Sequence, residues 1–163
     1  MIVALTGTPG TGKTSVAERL DYEVLDLTEF VKERSLGEQG DEFEVDIDAM
    51  VNELEDYLKD KDDVVIEGHL SHHFPSDYCV VLRCDPDELE ERLSERDYSS
   101  EKIRENIESE ILDSILIEAV DMQKNVLEVD TTGRDSEEVA KDIEAAINEG
   151  KTGYGEIDWT SRL

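Results

Sequence analysis

Apolar and polar residues alternate in blocks along this chain, and most blocks carry a readable period. Met1 to Thr6 is a short apolar run, rich in β-branched residues and ending at a glycine, the pattern of a strand buried on both faces. Lys13 to Leu20 has helical spacing through Val16, Ala17 and Leu20, and Tyr22 to Leu27 alternates as a second strand. Thr28 is placed to cap a short helix through Arg34, with Phe30 and Val31 on its apolar side. Gly37 to Val45 is acidic and Gly-punctuated, so it reads as a loop. Ile47, Met50, Val51, Leu54 and Leu58 then mark one face of an amphipathic helix.

Val64-Val65-Ile66 reads as a buried strand closing in Glu67-Gly68-His69, and Tyr78 to Arg83 as the next. Asp85 as N-cap, Pro86 at N1 and Glu88 at N3 open a helix that carries Leu89 and Leu93. Beyond Asp97-Tyr98-Ser99, the stripe Ile103, Ile107, Ile111, Ile115 and Leu116 predicts one longer helix. Val126 to Val129 is a fifth strand, and Thr131-Thr132-Gly133-Arg134 turns into a last helix through Val139, Ile143 and Ile147. The tail from Gly150 to Leu163 offers Tyr154, Ile157 and Trp159 as anchors. Strands alternating with helices predict one α/β domain over residues 1–163, a parallel sheet wrapped on both faces.

Composition sharpens this. About a quarter of the 163 residues are Leu, Ile, Val or Phe, enough to fill a core. The charge is unusual: 16 Lys and Arg against 44 Asp and Glu leave −28, where a small domain usually carries about 2–8 of either sign. The acids run throughout rather than in a tail, and near 1 M salt the screening length falls to about 3 Å. Adaptation to a very salty cytoplasm is the expected reason; an acidic face for a basic partner is the rival, and the two are compatible. Direct DNA or RNA binding is disfavoured, because phosphates need Lys and Arg. If Cys79 and Cys84 lie on one strand, their odd spacing places them on opposite faces, and they are not expected to bond to each other. No secretory leader or membrane-length apolar run is read, so the expected location is cytoplasmic.

The chemistry is concentrated in Gly7-Thr8-Pro9-Gly10-Thr11-Gly12-Lys13-Thr14, a match to G-x-x-x-x-G-K-[ST]. The glycines let successive N–H groups turn toward phosphate oxygens, Lys13 reaches the β- and γ-phosphates, and Thr14 offers a hydroxyl to Mg²⁺. Ser15 follows and can donate to the α-phosphate. ATP with Mg²⁺ is the implied ligand. Glu67 and His69, at a strand's carboxyl end, are candidates to hold the metal and to orient a nucleophile. His69, His72 and His73 suggest zinc, but no second Cys or His pair has structural-site spacing, so His72 and His73 are read as ordinary loop residues. Arg92 and Arg96 lie four apart beside a short break and can close over ATP, although Arg92 can equally pair with Glu88. Arg134 can pack on the adenine ring or cap the surface. Arg34 is the candidate for an acceptor's phosphate.

Together, the GTPGTGKT cradle, the VVIEGHLSHHF strand end, LSERDYSSEKIRENIESEIL and the DTTGR turn resemble the adenylate kinase isoenzyme 6 family over almost the whole chain. That family is the small nucleoside-monophosphate-kinase subgroup of archaea and eukaryotic nuclei. The resemblance implies a P-loop NTPase fold with a five-stranded parallel sheet, an acceptor-binding segment at about 28–51 and a short lid at about 95–105. It implies ATP contacts at Gly10, Gly12, Lys13, Thr14, Ser15, Arg96 and Arg134, and maps the family's acid-x-His motif onto Glu67 and His69. Eukaryotic members carry Asp at the first of these. It also implies adenylate kinase and ATPase activities, and a role in late small-ribosomal-subunit (pre-16S rRNA) maturation with a platform ribosomal protein as partner.

Overall fold

The computed structural model describes residues 1–38 and 44–163. The chain runs β1 (Ile2–Gly7), α1 (Lys13–Ala17), β2 (Glu23–Asp26), α2 (Leu27–Glu33), β3 (Gly37–Glu38), β4 (Glu44–Val45) and α3 (Ile47–Leu58). It continues with β5 (Val64–Glu67), a 3₁₀ turn at Ser71–His73, β6 (Tyr78–Arg83), α4 (Pro86–Ser94), α5 (Ser100–Ile111), α6 (Ser114–Met122), β7 (Val126–Asp130) and α7 (Ser136–Glu149). Five strands pair in the order β2-β5-β1-β6-β7, and every pairing is parallel.

Period-two alternation sorts the strand side chains onto two cores. Val3, Leu5, Val65, Val80 and Leu82 pack with Val16 of α1 and with Val139 and Ile143 of α7. Ile66 faces the other way onto α2 and α3, and Ala4, Cys79 and Val81 onto α6. Each large side chain so buried contributes roughly 1.5–3 kcal/mol, which holds the strand ends in fixed register. From β1 the chain moves out to β2, with β5 filling the gap, whereas from β6 it moves the opposite way to β7. The crevice at the carboxyl ends of β1 and β6 is therefore the topological switch point, where open α/β sheets bind ligands.

Several local expectations need correction. Helix α1 stops at Ala17, because the next N–H groups reach back three residues: Arg19 to Val16 and Leu20 to Ala17. Leu20 stays buried, so its apolar spacing survives the tighter turn. Asp26, not Thr28, caps α2, its carboxylate accepting the Glu29 N–H at 3.2 Å. The expected loop from Gly37 to Val45 contains an antiparallel pair, Gly37 opposite Val45, while its residues 39–43 lie outside the described residues.

The single long helix after Ser99 is two helices. Asp113 sits at φ 56°, a left-handed conformation that breaks the ladder, and its carboxylate accepts from the Arg83 guanidinium at 2.6 Å. In the tail, Ile157 and Trp159 are half-buried but Tyr154 is exposed. The tail is held instead by backbone bonds from Gly153 to Val126 and from Glu128 to Gly153, and by the Arg162–Asp85 ion pair at 2.6 Å. Cys79 and Cys84 are buried and unbonded as expected, although Cys84 lies just past the end of β6 rather than on it, and the two pack in different clusters. No helix among the described residues is long and apolar enough to cross a membrane.

Candidate active site

Residues 7–14 leave β1 at the switch point and fold into a tight loop. Gly10 (φ 95°) and Gly12 (φ 100°) occupy left-handed backbone conformations. A Cβ on Gly10 would stand 2.8 Å from Leu89 Cδ1 and 3.0 Å from Leu93 Cδ2, so helix α4 packs directly onto the loop. The N–H groups of Gly10, Gly12, Lys13 and Thr14 find no protein acceptor among the described residues. Helix α1 has five residues, so its dipole is short; the loop's unpaired donors and Lys13 dominate the attraction for an anion.

Lys13 folds back over the loop, its Nζ donating to the carbonyls of Gly7 (2.8 Å) and Thr8 (3.1 Å). Burial lowers its pKa to about 8, and Arg96 pushes the same way against the opposing pull of Glu67 and Glu110. Across the cleft, the Thr14 hydroxyl donates to Glu67 Oε1 at 3.2 Å. Burial also raises the Glu67 carboxyl above its ordinary range and Asp26 adds to this, with Lys13, Thr14 and Arg96 opposing. A desolvated carboxylate and a hydroxyl side by side are hard oxygen donors of the kind Mg²⁺ takes, and they fit such an ion.

His69 emerges exposed at the end of the same strand. Desolvation, then the neighbouring Lys13 and His72, lower its pKa to about 4, so the imidazole is neutral near pH 7.

A cavity of about 460 Å³ opens on the other flank of the loop, lined by Gly10, Gly12, Ser15, Arg96 and Arg134, with Val16 and Val139 as its apolar wall. Arg96 belongs to both halves of the cleft; it is exposed and has no carboxylate partner among the described residues. Arg134 lines the cavity while paired to Glu138 and Asp142. Arg92 pairs with Glu88 at 2.6 Å but also donates to the Gly10 carbonyl at 3.2 Å and the Thr131 carbonyl at 3.2 Å, so it braces the loop from α4. Arg34 is not brought into this group. Its guanidinium lies 3.9 Å over the Phe30 ring, with Glu33 and Glu53 nearby.

Two features escaped sequence reasoning. Glu110, almost fully buried near the end of α5, accepts from the Thr8 hydroxyl, from Arg83 Nε and from the Cys84 N–H, each at 2.9 Å. An arginine closing an otherwise apolar strand signals a buried acid, though not which one. His72 is also no ordinary loop residue: 1% exposed, it bonds Thr6 Oγ1 at 2.9 Å and Glu118 at 2.7 Å.

The AAA-domain family profile matches residues 3–113. A protein of Pyrococcus furiosus named "Putative adenylate kinase" is 49% identical, the match covering 98% of this chain and 92% of that protein. A protein of Archaeoglobus fulgidus with the same name is 42% identical over 100% of this chain and 94% of its own. The chain belongs to this archaeal adenylate-kinase-like family. Among solved structures, a shikimate kinase from Bacteroides thetaiotaomicron superposes with a TM-score of 0.64 at 18% identity, covering 91% of this chain and 98% of that one. A deoxyadenosine kinase from M. mycoides with bound dATP gives 0.58 at 14% identity, covering 91% and 100%. Those two show the fold alone, a P-loop α/β fold of the nucleoside-monophosphate-kinase type, as the family resemblance implies.

Proposed function

We propose that this chain transfers the γ-phosphoryl group of ATP to a nucleoside monophosphate, AMP first, by direct in-line displacement without a covalent enzyme intermediate. The observation that carries the reading is the Thr14–Glu67 pair set beside Lys13 at the mouth of the phosphate loop. The names of its archaeal relatives support the same reaction.

In this reading Lys13 exchanges its bonds to the Gly7 and Thr8 carbonyls for the β- and γ-phosphate oxygens. Thr14 and Glu67 would hold Mg²⁺, which when bound neutralises phosphate charge. The loop N–H groups of Gly10 and Gly12 and the Ser15 hydroxyl receive the remaining oxygens. Arg96, unpaired and set between the two halves of the cleft, swings onto the transferring group as the 95–105 lid closes. Arg134 lies where the base would stack, and Arg92 keeps the loop in shape. Residues 28–51 serve the acceptor. Arg34 is the group for its phosphate, since its contacts with Glu33 (3.9 Å) and Glu53 (3.8 Å) are loose and exchangeable.

ATP hydrolysis is the second reading, favoured by an exposed, neutral His69 that can accept a hydrogen bond from water. The −28 charge suits a basic protein partner of the kind the family resemblance implies, a small-subunit ribosomal protein. His69→Ala then reduces phosphate release without AMP more than it reduces transfer to AMP; equal losses would remove the water-orienting role.

The kinase reading is tested with a bisubstrate compound joining two adenosines through five phosphates. It should compete with both ATP and AMP and lose affinity in Lys13→Ala. Competition with ATP alone would exclude AMP as the acceptor.

A further inference from the structure

Away from the nucleotide cleft, the 3₁₀ turn at Ser71–His73 and helix α6 bring three metal-ligating groups together. His72 Nε2 lies 2.7 Å from Glu118 Oε2, and His73 Nε2 lies 3.5 Å from the same oxygen. The two imidazole rings are 4.5 Å apart between centroids and tilted by 34°, and the three ligand atoms all fall within 4.8 Å of one another. Ligands of one tetrahedral ion, with bonds of about 2.0–2.2 Å, stand roughly 3.3–3.6 Å apart. The His73–Glu118 pair already has that spacing, and the hydrogen-bonded His72–Glu118 pair, at 2.7 Å, has to open by roughly 0.6–0.9 Å to reach it.

Its surroundings are those of a built site. The second ring nitrogen of His72, Nδ1, is 2.9 Å from Thr6 Oγ1, and Thr6 is fully buried in β1. Histidines that bind metals use this kind of bond on the other nitrogen to fix ring orientation and tautomer. Gln123 binds the backbone of the same turn, its Nε2 donating to the carbonyls of His72 and Phe74 at 2.7 Å each. On the outer side, Glu118 is half-exposed and His73 lines an open hollow of about 690 Å³ with Ile47, Val51 and Met122, which gives an ion a route in. A hydrogen-bonded His72–Glu118 pair alone would not require the His73 ring to turn its Nε2 toward the same oxygen.

We propose that His72, His73 and Glu118 bind one transition-metal dication of the Zn²⁺ class, through two imidazole nitrogens and one carboxylate oxygen, with a further position left to solvent. Imidazole ligands select such ions over Mg²⁺, so this site and the Thr14–Glu67 pair take different metals. The ion fastens α6 to the turn that follows Glu67-Gly68-His69, and through Thr6 it sits one residue from the start of the phosphate loop. It therefore stiffens the support under the catalytic cleft without entering it.

The test is titration of tag-free, chelator-stripped protein with Co²⁺ in excess Mg²⁺, following the visible absorption of low-coordinate cobalt, with Zn²⁺ added as competitor. Wild type should take up one equivalent, released by Zn²⁺. His73→Ala and Glu118→Gln, chosen because both side chains are partly exposed and tolerate change, should each weaken binding more than tenfold. Thr6→Val should weaken it by roughly 10–100-fold. No saturable uptake by wild type would overturn the site, as would unchanged affinity in both His73→Ala and Glu118→Gln. Uptake kept in those two but lost in His69→Ala would move the ion to the nucleotide cleft and overturn it equally.

Discussion

The Thr8 hydroxyl donates to Glu110 Oε1 at 2.9 Å, so a residue of the phosphate loop is held by a carboxylate from the C-terminal end of α5. The other Glu110 oxygen binds Arg83 Nε and the Cys84 N–H at the end of β6. Arg83 in turn reaches Asp113 at the α5–α6 break and Glu128 on β7, each at 2.6 Å. One buried network thus ties the loop, two strand ends and the helix break together.

Glu110→Ala leaves the fully buried Arg83 guanidinium and the Cys84 N–H short of an acceptor. Removing one partner of a buried pair costs about 3–5 kcal/mol, and guanidinium denaturation should show a loss of that size. Glu110→Gln should lose much less, because the amide oxygen still accepts from β6 and the Thr8 hydroxyl can rotate to accept. Wild-type stability in Glu110→Ala would mean that the network is dispensable.

Lys13 has a folded pKa of about 8, below its ordinary 10.5, chiefly through burial. For a base so lowered, the unfolded chain holds the proton where the folded one has released it. Between about pH 8 and 10.5 the nucleotide-free protein therefore gains stability from this group as pH rises. Binding runs the other way, since phosphate oxygens need the ammonium. kcat/KM for ATP, which reports the free enzyme, should fall as pH climbs through about 8, and this limb should be missing from the residual activity of Lys13→Arg.

Glu67 is an acid whose folded pKa is raised by burial and by Asp26. The folded protein keeps this proton longer than the unfolded chain does, so stability is lost as pH rises from the ordinary carboxylate range through the folded pKa. Glu67→Gln should therefore melt above wild type at pH 7 in the absence of nucleotide, with the gap closing toward pH 4, while Mg²⁺-dependent turnover drops by orders of magnitude. A variant that is less stable at pH 7 would contradict the desolvated-carboxylate account.

The −28 net charge predicts self-repulsion that salt relieves, since the screening length falls from about 30 Å at 0.01 M to about 3 Å at 1 M. Unfolding temperatures should rise steeply with KCl into the molar range. A flat profile would leave the acidic surface to be explained by a basic partner.

What the sequence made legible was local. A motif of eight residues and the two periods of strand and helix located the cradle, all five sheet strands and most of the helices, because each signal is carried within a few neighbours. Glu110 and Glu118 were invisible because a single acid on an amphipathic helix reads as a solvated face; their partners Thr8 and His72 stand 102 and 46 residues away. Asp113 was missed for a related reason. The isoleucine stripe runs through the break, and the left-handed aspartate there is held by Arg83, a partner 30 residues away in sequence. The Arg92–Glu88 pair was legible from its i,i+4 spacing, whereas the carboxylate partners of Arg134, Glu138 and Asp142, became apparent only in three dimensions.

Phosphorus NMR of the protein with Mg²⁺-ATP in multi-molar KCl, run with AMP and then without it, tests the central claim most directly. Rapid ADP formation that requires AMP, with little free phosphate and abolished by Lys13→Ala, is the predicted result. ADP and inorganic phosphate appearing at the same rate whether or not AMP is present would contradict a nucleotide kinase and make hydrolysis the reaction of this cleft.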